Sequence, residues 1–443
     1  MKMKKTLQTV AVAALAATSI VGCSSGQNGG GASAPNTTPA PAATPAPEDQ
    51  TPVTIQYWHA HAEGQIEGLN FMIKEFQDKY PWITVEPVYQ GAYGDLHKKL
   101  MAAVAAKEVP AVTNVEVASL PTFGEGGIFM DLGPFIQRDQ LDTDDFAQGM
   151  FQAYSYEGKQ YGFPLIVSAN VFIYNKTMFD ELGVTPPQTW DEIVPFSEKV
   201  TQKEGNNVTR YAFSVPGWDA WYAETWIRNG GGTPLTEDLK SGLDKEESLR
   251  MIRSFKEWMD KGYMHMGYGK GASADMRQMF FDGKVGMVHH TSGQVKWYVE
   301  NSDFEIGVSF PPGDAKHISQ IGGAGIAIMD MAKDIEKEAA WKFVQFMTSS
   351  EYNVRWADYS GYLPTRKSAI NSDEGKEYFD KRPQYKAILD NIDNVVARPQ
   401  YPPYPESVKY ITEALGKIVL ENLDVEAAFK EAAEKMNEVL EDY

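Results

Sequence analysis

The sequence is short of cysteine, of positive charge and of long apolar runs. Cys23 is the one cysteine among 443 residues, so an internal disulfide is excluded. Lys and Arg number 41 against 60 Asp and Glu, a formal net charge of -19. Phosphate neutralisation needs a basic surface, so this balance disfavours nucleic acid as a partner. Beyond residue 22 no uncharged apolar stretch approaches the roughly 20 residues that a spanning helix needs. Several catalytic signatures are missing as well. There is no Gly-x-Ser-x-Gly, no phosphate-cradling loop and no His-Glu-x-x-His, and no enzyme is expected.

What is present starts with the N-terminus. Lys2, Lys4 and Lys5 precede an Ala-rich apolar run that ends in Ile20-Val21-Gly22-Cys23. A basic start, an apolar stretch and small residues before a cut describe a secretory signal. The small residues before Cys23 resemble a bacterial lipobox, which implies cleavage after residue 22 and a lipid on Cys23. Residues 23–52 are dominated by Gly, Ser, Ala, Pro and Thr, without a large apolar side chain. Such a segment buries no core and reads as a tether. The rest has an ordinary globular composition, 43% hydrophobic and 23% charged. Its length suits two domains. Aromatics are plentiful, with 10 Trp, 22 Tyr and 21 Phe, enough to furnish stacking surfaces in a cleft.

The folded part opens at Val53 with an alternating strand to Trp58. Ile66, Leu69, Ile73 and Phe76 then follow at 3,4,3 spacing, which predicts a helix stopped by Pro81. Strands over 82–89 and 111–118, with a helix over 93–107 between them, complete a β-α-β-α-β order. That order predicts a parallel sheet covered by helices, with ligand beyond the carboxyl ends of the strands. A second run has strands at 161–164, 169–174, 211–215 and 285–289. Its helices are expected at 176–182, 189–203, from Trp218, and at 246–261. A strand over 322–331 leads to a helix near 335–348. Two helices close the chain, one carrying Val408, Ile411, Leu415 and Ile418, the other spanning Val425 to Leu440. No internal repeat is seen.

Several short motifs recur along this order: Tyr57-Trp58-His59, the turn Tyr89-Gln-Gly-Ala-Tyr93, Tyr174-Asn175-Lys176 before a helix, Gly322-Gly323-Ala324-Gly325 and Gly361-Tyr-Leu-Pro-Thr365. In this order and spacing, residues 53–443 resemble the extracellular solute-binding proteins of ABC importers. The branch is the one that holds maltose-type and glycerol-3-phosphate-binding proteins. The resemblance implies an α/β, two-lobed periplasmic-binding-protein-like fold with a hinge and an interlobe ligand cleft. Lobe 1 is expected over 53–164 and about 316–362, lobe 2 over about 165–315 and 363–443.

The resemblance to the glycerol-3-phosphate binders also implies ligand positions. They fall on Tyr93, Glu116, Ser168, Trp218 and Trp221 within Gly217-Trp-Asp-Ala-Trp221, Thr291 with Ser292 beside it, Gly323 and Tyr362. The family's phosphate-binding arginine falls on or beside Val408, and this departure disfavours a phosphomonoester, since Arg is the usual bidentate partner of phosphate. Ala397-Arg-Pro399 through Tyr404 instead resembles the oligosaccharide binders of the superfamily, which adds Tyr404. Trp58 and His59 join the set from the first strand motif.

These residue types suit a sugar. Indole rings of Trp58, Trp218 and Trp221 offer faces for C–H groups, and polar neighbours take the hydroxyls. Glu116 ends an apolar strand, where a carboxylate needs a partner. Gly323 allows close approach of ligand to backbone; a plain tight turn is the alternative, as core packing is for the aromatics. His59 and His61 share a strand face, but no third or fourth ligand is evident, so neither metal nor cofactor is expected. The expectation is a monomeric lipoprotein at the cell membrane that delivers a sugar or oligosaccharide to importer subunits. The alternatives are a glycerol-3-phosphate or glycerophosphodiester binder and, in another class, a secreted carbohydrate-active enzyme.

Overall fold

Val53–His59 (β1) buries Ile55, Tyr57 and His59 and leaves their neighbours more exposed, the period-two signature of a strand on one core. This is a computed structural model, and it describes residues 50–442 apart from Ala62. The signal segment, Cys23 and nearly all of the expected tether lie outside the described residues. Ile66–Lys79 (α1) buries Leu69, Met72, Ile73 and Phe76. Phe76 meets Phe343 and Phe346 edge-on, with centroids 5.1 and 5.4 Å away. Ile83–Tyr89 (β2), Tyr93–Ala106 (α2) and Val112–Glu116 (β3) follow. Both β2 and β3 pair with β1 in parallel, as the β-α-β-α-β order requires.

One long strand, Gly162–Asn175 (β4), stands where the sequence suggests two. Pro164 lacks an N–H and reads as a break, but a register shift at Ala324/Gly325 of the partner strand accommodates it. Asn207–Pro216 (β5), Ala220–Asn229 (α3), Glu246–Asp260 (α4), Met264–Gly267 (β6), Val285–Thr291 (β7) and Ile306–Ser309 (β8) build the second lobe. The helix expected over 189–203 is shorter. It runs Ile193–Val200, and Gln202–Glu204 turns through Gly205 (φ 63°) to pair antiparallel with β5. Ser319–Ile328 (β9) returns to the first lobe. Asp334–Met347 (α5), Ser350–Ser360 (α6) and the short Val395–Val396 (β10) come next, before Lys409–Glu421 (α7) and Val425–Glu441 (α8).

Two strands thread both lobes. The first half of β4, Gly162–Ala169, pairs with β9, and the half from Asn170 pairs with β7 and β8. At its far end β9 pairs with β3, and at its start Ser319 and Gln320 pair with β10. A third crossing follows β10. The second apolar core gathers α3, α4, α7 and α8 around Trp226, which lies 5.4 Å from Phe255 and 5.8 Å from Trp258 between ring centroids. Residues from 363 on were expected in the second lobe. Leu363, Tyr385, Ile388 and Val395 pack into the first apolar cluster, which also takes in Phe280, Tyr298 and Ile306 from around β7 and β8, and β10 is hydrogen-bonded to β9. The chain joins the second core from Tyr401 on. Among the described residues no helix is long and apolar enough to cross a membrane.

Candidate functional site

The first wall of the site grows from strand and helix ends. Glu116 is the last residue of β3 and half-buried. Burial raises its carboxyl pKa; the Arg398 charge lowers it and the Asp219 charge raises it. Asp219 stands at the start of α3 and Arg398 in the crossing after β10. Tyr93 is the first residue of α2, and burial, Tyr362 and Glu116 together push its phenol well above the usual tyrosine range. Tyr362 follows Gly361, whose left-handed φ of 75° ends α6. Its ring packs against Gly293, where an added Cβ would lie 3.2 Å from Cζ.

Gly323 lies inside β9, paired with Val167 of β4, where the sequence suggested a turn. Its φ is 95°, and a Cβ there would sit 1.8 Å from the Ile166 carbonyl oxygen and 3.5 Å from the Tyr362 ring. Only glycine fits such a place. At the neighbouring Gly322 a Cβ would meet the Trp221 ring at 2.7 Å and Ser168 Oγ at 3.1 Å. Gly322, Gly323, Ser168, Trp221 and Tyr362 therefore meet where β4 and β9 cross.

The second wall begins at Gly217. Asp219 caps α3, its Oδ1 accepting the Trp221 N–H at 3.0 Å. The cap places Trp218 just outside the helix, half-buried. Glu116, Ala118, Trp218, Asp219, Arg398, Pro405, Val408, Lys409 and Thr412 line a cleft of about 390 Å³. Of the residues singled out from the sequence as binding, Glu116 and Trp218 reach it directly. Trp221 does not offer a free face. It is 8% exposed, and its Nε1 donates to the Ile321 carbonyl at 3.1 Å.

The remaining expected residues make other contacts in the structure. Ser292 is fully buried, and its hydroxyl accepts the Ala169 N–H at 3.0 Å, tying the crossing strand down. Thr291 caps the turn at Ser292–Gln294 by accepting the Gly293 N–H at 3.3 Å. Tyr404 is fully buried in the second core beside Glu224 and Arg398. Trp58 packs on the first core and donates to Gln56 of its own strand at 3.1 Å. His59 lines a separate cavity of about 580 Å³ with His61 and Tyr89. Burial lowers the pKa of His59 to about 4 and, with the nearby His59, that of His61 to about 3. Strand alternation explains these outcomes: Tyr57 and His59 share the core-facing side of β1, and Trp58 points the other way.

Asp219 and Arg398 are visible in the Gly217–Trp221 and Ala397–Tyr404 segments of the sequence, but neither is singled out there as a binding residue. Arg398 forks onto Glu224, Nε to Oε2 at 3.1 Å and Nη2 to Oε1 at 2.7 Å. Gln320 Nε2 also donates to Glu224, at 3.2 Å, and Arg228 donates to Gln320 Oε1 and the Ala397 carbonyl. Asn170 donates to Thr225 Oγ1 at 2.6 Å, and Ser319 to the Asn170 carbonyl at 2.9 Å. This polar knot ties all three crossings to α3. One signal was available: Glu224 lies on an aromatic helix, where a buried carboxylate demands a cation.

A two-lobed α/β chain, threaded by shared strands and meeting around a polar cleft with an indole wall, has the build of a solute binder that closes about a hinge. Comparison places it. The model of the bacterial extracellular solute-binding protein family matches residues 72–386. The sn-glycerol-3-phosphate-binding periplasmic protein UgpB of Agrobacterium fabrum is 24% identical over 350 residues, 76% of this chain and 79% of its own. Two solved structures share the fold. UgpB from Mycobacterium tuberculosis in complex with glycerophosphocholine has a TM-score of 0.77 at 22% identity, covering 88% of this chain and 99% of that one. The sugar-binding protein MalE from Xanthomonas citri has a TM-score of 0.78 at 19% identity, with 88% and 98% covered. This chain belongs to the bacterial extracellular solute-binding protein family. That family and these neighbours are binding proteins rather than enzymes.

Proposed function

We propose that this chain captures a neutral sugar or oligosaccharide between its lobes and delivers it to an ABC-type importer. The observation that carries the ligand reading is the lining of the cleft. The Trp218 ring stands with Glu116 and Asp219, and the apolar Val408 lines the same wall; the resemblance to the glycerol-3-phosphate binders puts their phosphate-binding arginine on or beside that position. An indole face with carboxylate acceptors suits C–H surfaces flanked by hydroxyls. The molecule binds and releases its ligand without chemistry. Tyr93, Ser168, Gly323 and Tyr362 line the deeper part of the same site, towards the crossing of β4 and β9. The lobes divide near Ala169 and Asn170, where β4 changes partners. Cys23 carries the lipid that anchors the monomer outside the cell membrane, and residues 23–52 give it reach.

A second reading takes a glycerophosphodiester as ligand. Lys409 and Arg398 on the cleft wall favour it, as do the relative described as binding sn-glycerol 3-phosphate and the neighbour solved with glycerophosphocholine. Calorimetric titration with neutral di- and trisaccharides, glycerol 3-phosphate and glycerophosphocholine separates the two. Heat with saccharides alone is the expected result. Heat with the phosphorylated compounds alone sinks the sugar reading, and turnover of any compound sinks the pure-binder claim.

A further inference from the structure

The Arg398 side chain is only 10% exposed and its partner Glu224 is fully buried, yet Arg398 reaches the cleft wall. Guanidinium has five N–H donors in a rigid fork. Nε and Nη2 are spent on Glu224. The N–H groups of Nη1 find no acceptor among the described residues, so one edge of the fork is left for the cleft. Across the cleft stands Glu116, which only accepts when ionised.

We propose that Arg398, clamped and neutralised by Glu224, is a specificity-determining residue that reads uncharged hydroxyl-bearing ligands; this rests on the sugar reading of the cleft. The pair Arg398–Glu224 carries no net charge, so its free edge donates hydrogen bonds without attracting anions. Glu116 opposite supplies an acceptor. A vicinal diol both donates and accepts, and it satisfies the two walls at once. A phosphate monoester has no hydroxyl at its charged end to give to Glu116. It meets three carboxylates (Glu116, Asp219 and Glu224) against two cations, Arg398 and Lys409. Donor–acceptor match therefore favours a diol, which glycerol 3-phosphate also carries, and the charge balance disfavours its phosphate.

The role differs from that of a structural ion pair, and substitution tells the two apart. Arg398→Lys keeps the charge beside Glu224 and removes the fork. It is expected to weaken neutral saccharide binding by about tenfold or more, the loss of one charged hydrogen bond. Glu224→Gln unmasks the Arg398 charge. It is expected to shift the ratio of glycerol 3-phosphate to saccharide affinity by about tenfold or more towards the phosphate. Calorimetry on thermally verified folded protein reads both. Saccharide affinity unchanged in Arg398→Lys, or an unchanged ratio in Glu224→Gln, overturns the role of Arg398 and leaves the sugar reading standing. Should either variant fail to fold, the wild-type protein still decides. Its saccharide affinity is expected to stay flat from about 50 mM to about 500 mM salt, and glycerol 3-phosphate is expected to compete poorly. Strong, salt-sensitive competition by glycerol 3-phosphate overturns the neutral clamp. Heat with phosphorylated ligands alone rejects the sugar reading and this inference together.

Discussion

Glu116 is costly to the fold and useful to the site. Burial and Asp219 disfavour its charged form, and Arg398 offsets them only in part, so its pKa lies above the usual carboxylate value. A carboxyl raised in the folded state contributes stability below its unfolded pKa and loses it as pH rises through the folded value. At neutral pH, Glu116→Gln is therefore expected to raise the melting temperature while weakening saccharide binding. The stability gain should fade as pH falls towards 4, which thermal melts at stepped pH check directly. Trp218 is the complementary case. Removing its ring with Trp218→Ala strips apolar contact worth about 2 kcal/mol, roughly thirtyfold in Kd. The same change at Trp221 is expected to lower stability first, because that ring is pinned to Ile321 at the crossing. Paired melting and calorimetric curves for the two variants separate wall from hinge.

Among elements, the crossing of β4 and β9 decides most. At Gly323, β9 lies close against β4 only because no side chain intervenes. Gly323→Ala places a methyl against the Ile166 carbonyl in a left-handed conformation, at a cost of about 3 kcal/mol or more. Chemical denaturation is expected to show that loss, and a variant within about 0.5 kcal/mol of wild type would contradict the strain. The same elements show where sequence reading stopped short. Periodicity found α1, α4, α5 and α8 within a residue or two, since each repeats its apolar positions locally. It split β4 at Pro164, because the bulge that tolerates this proline lies on β9, some 160 residues away in the chain. It extended a helix to residue 203, where Gly205 instead turns the chain back onto β5.

For the whole molecule, four buried histidines and the half-buried His97 set the response to acid. Burial lowers His59, His97 and His290 to about 4 and is the largest of the causes that take His61 and His289 to about 3. The unfolded chain takes up protons from about pH 6.5 downwards, and the folded chain does not until much lower. Stability is thus expected to fall steadily from about pH 6.5 to 4, as denaturant midpoints at stepped pH would show. Closure is the other whole-molecule property. Saturating saccharide is expected to reduce the radius of gyration in small-angle scattering, and no change would count against hinge motion.

Local chemistry alone determined the export signal and tether as expectations, the strand and helix sites whose apolar spacing repeats, and the residue types of the cleft. Glu116, Trp218, Gly323 and Tyr362 were marked mainly by the resemblance to a family of solute binders, with the residue types of the cleft in support. Which residues share the cleft was decided only by the tertiary structure. It buried Tyr404 and Ser292, turned His59 into a different cavity, and set Arg398 against Glu224, 174 residues away. The reason is physical. Spacing along one strand or helix reports a local face, whereas the pairing of charges and the crossing of strands depend on contacts between segments that carry no periodic trace of each other.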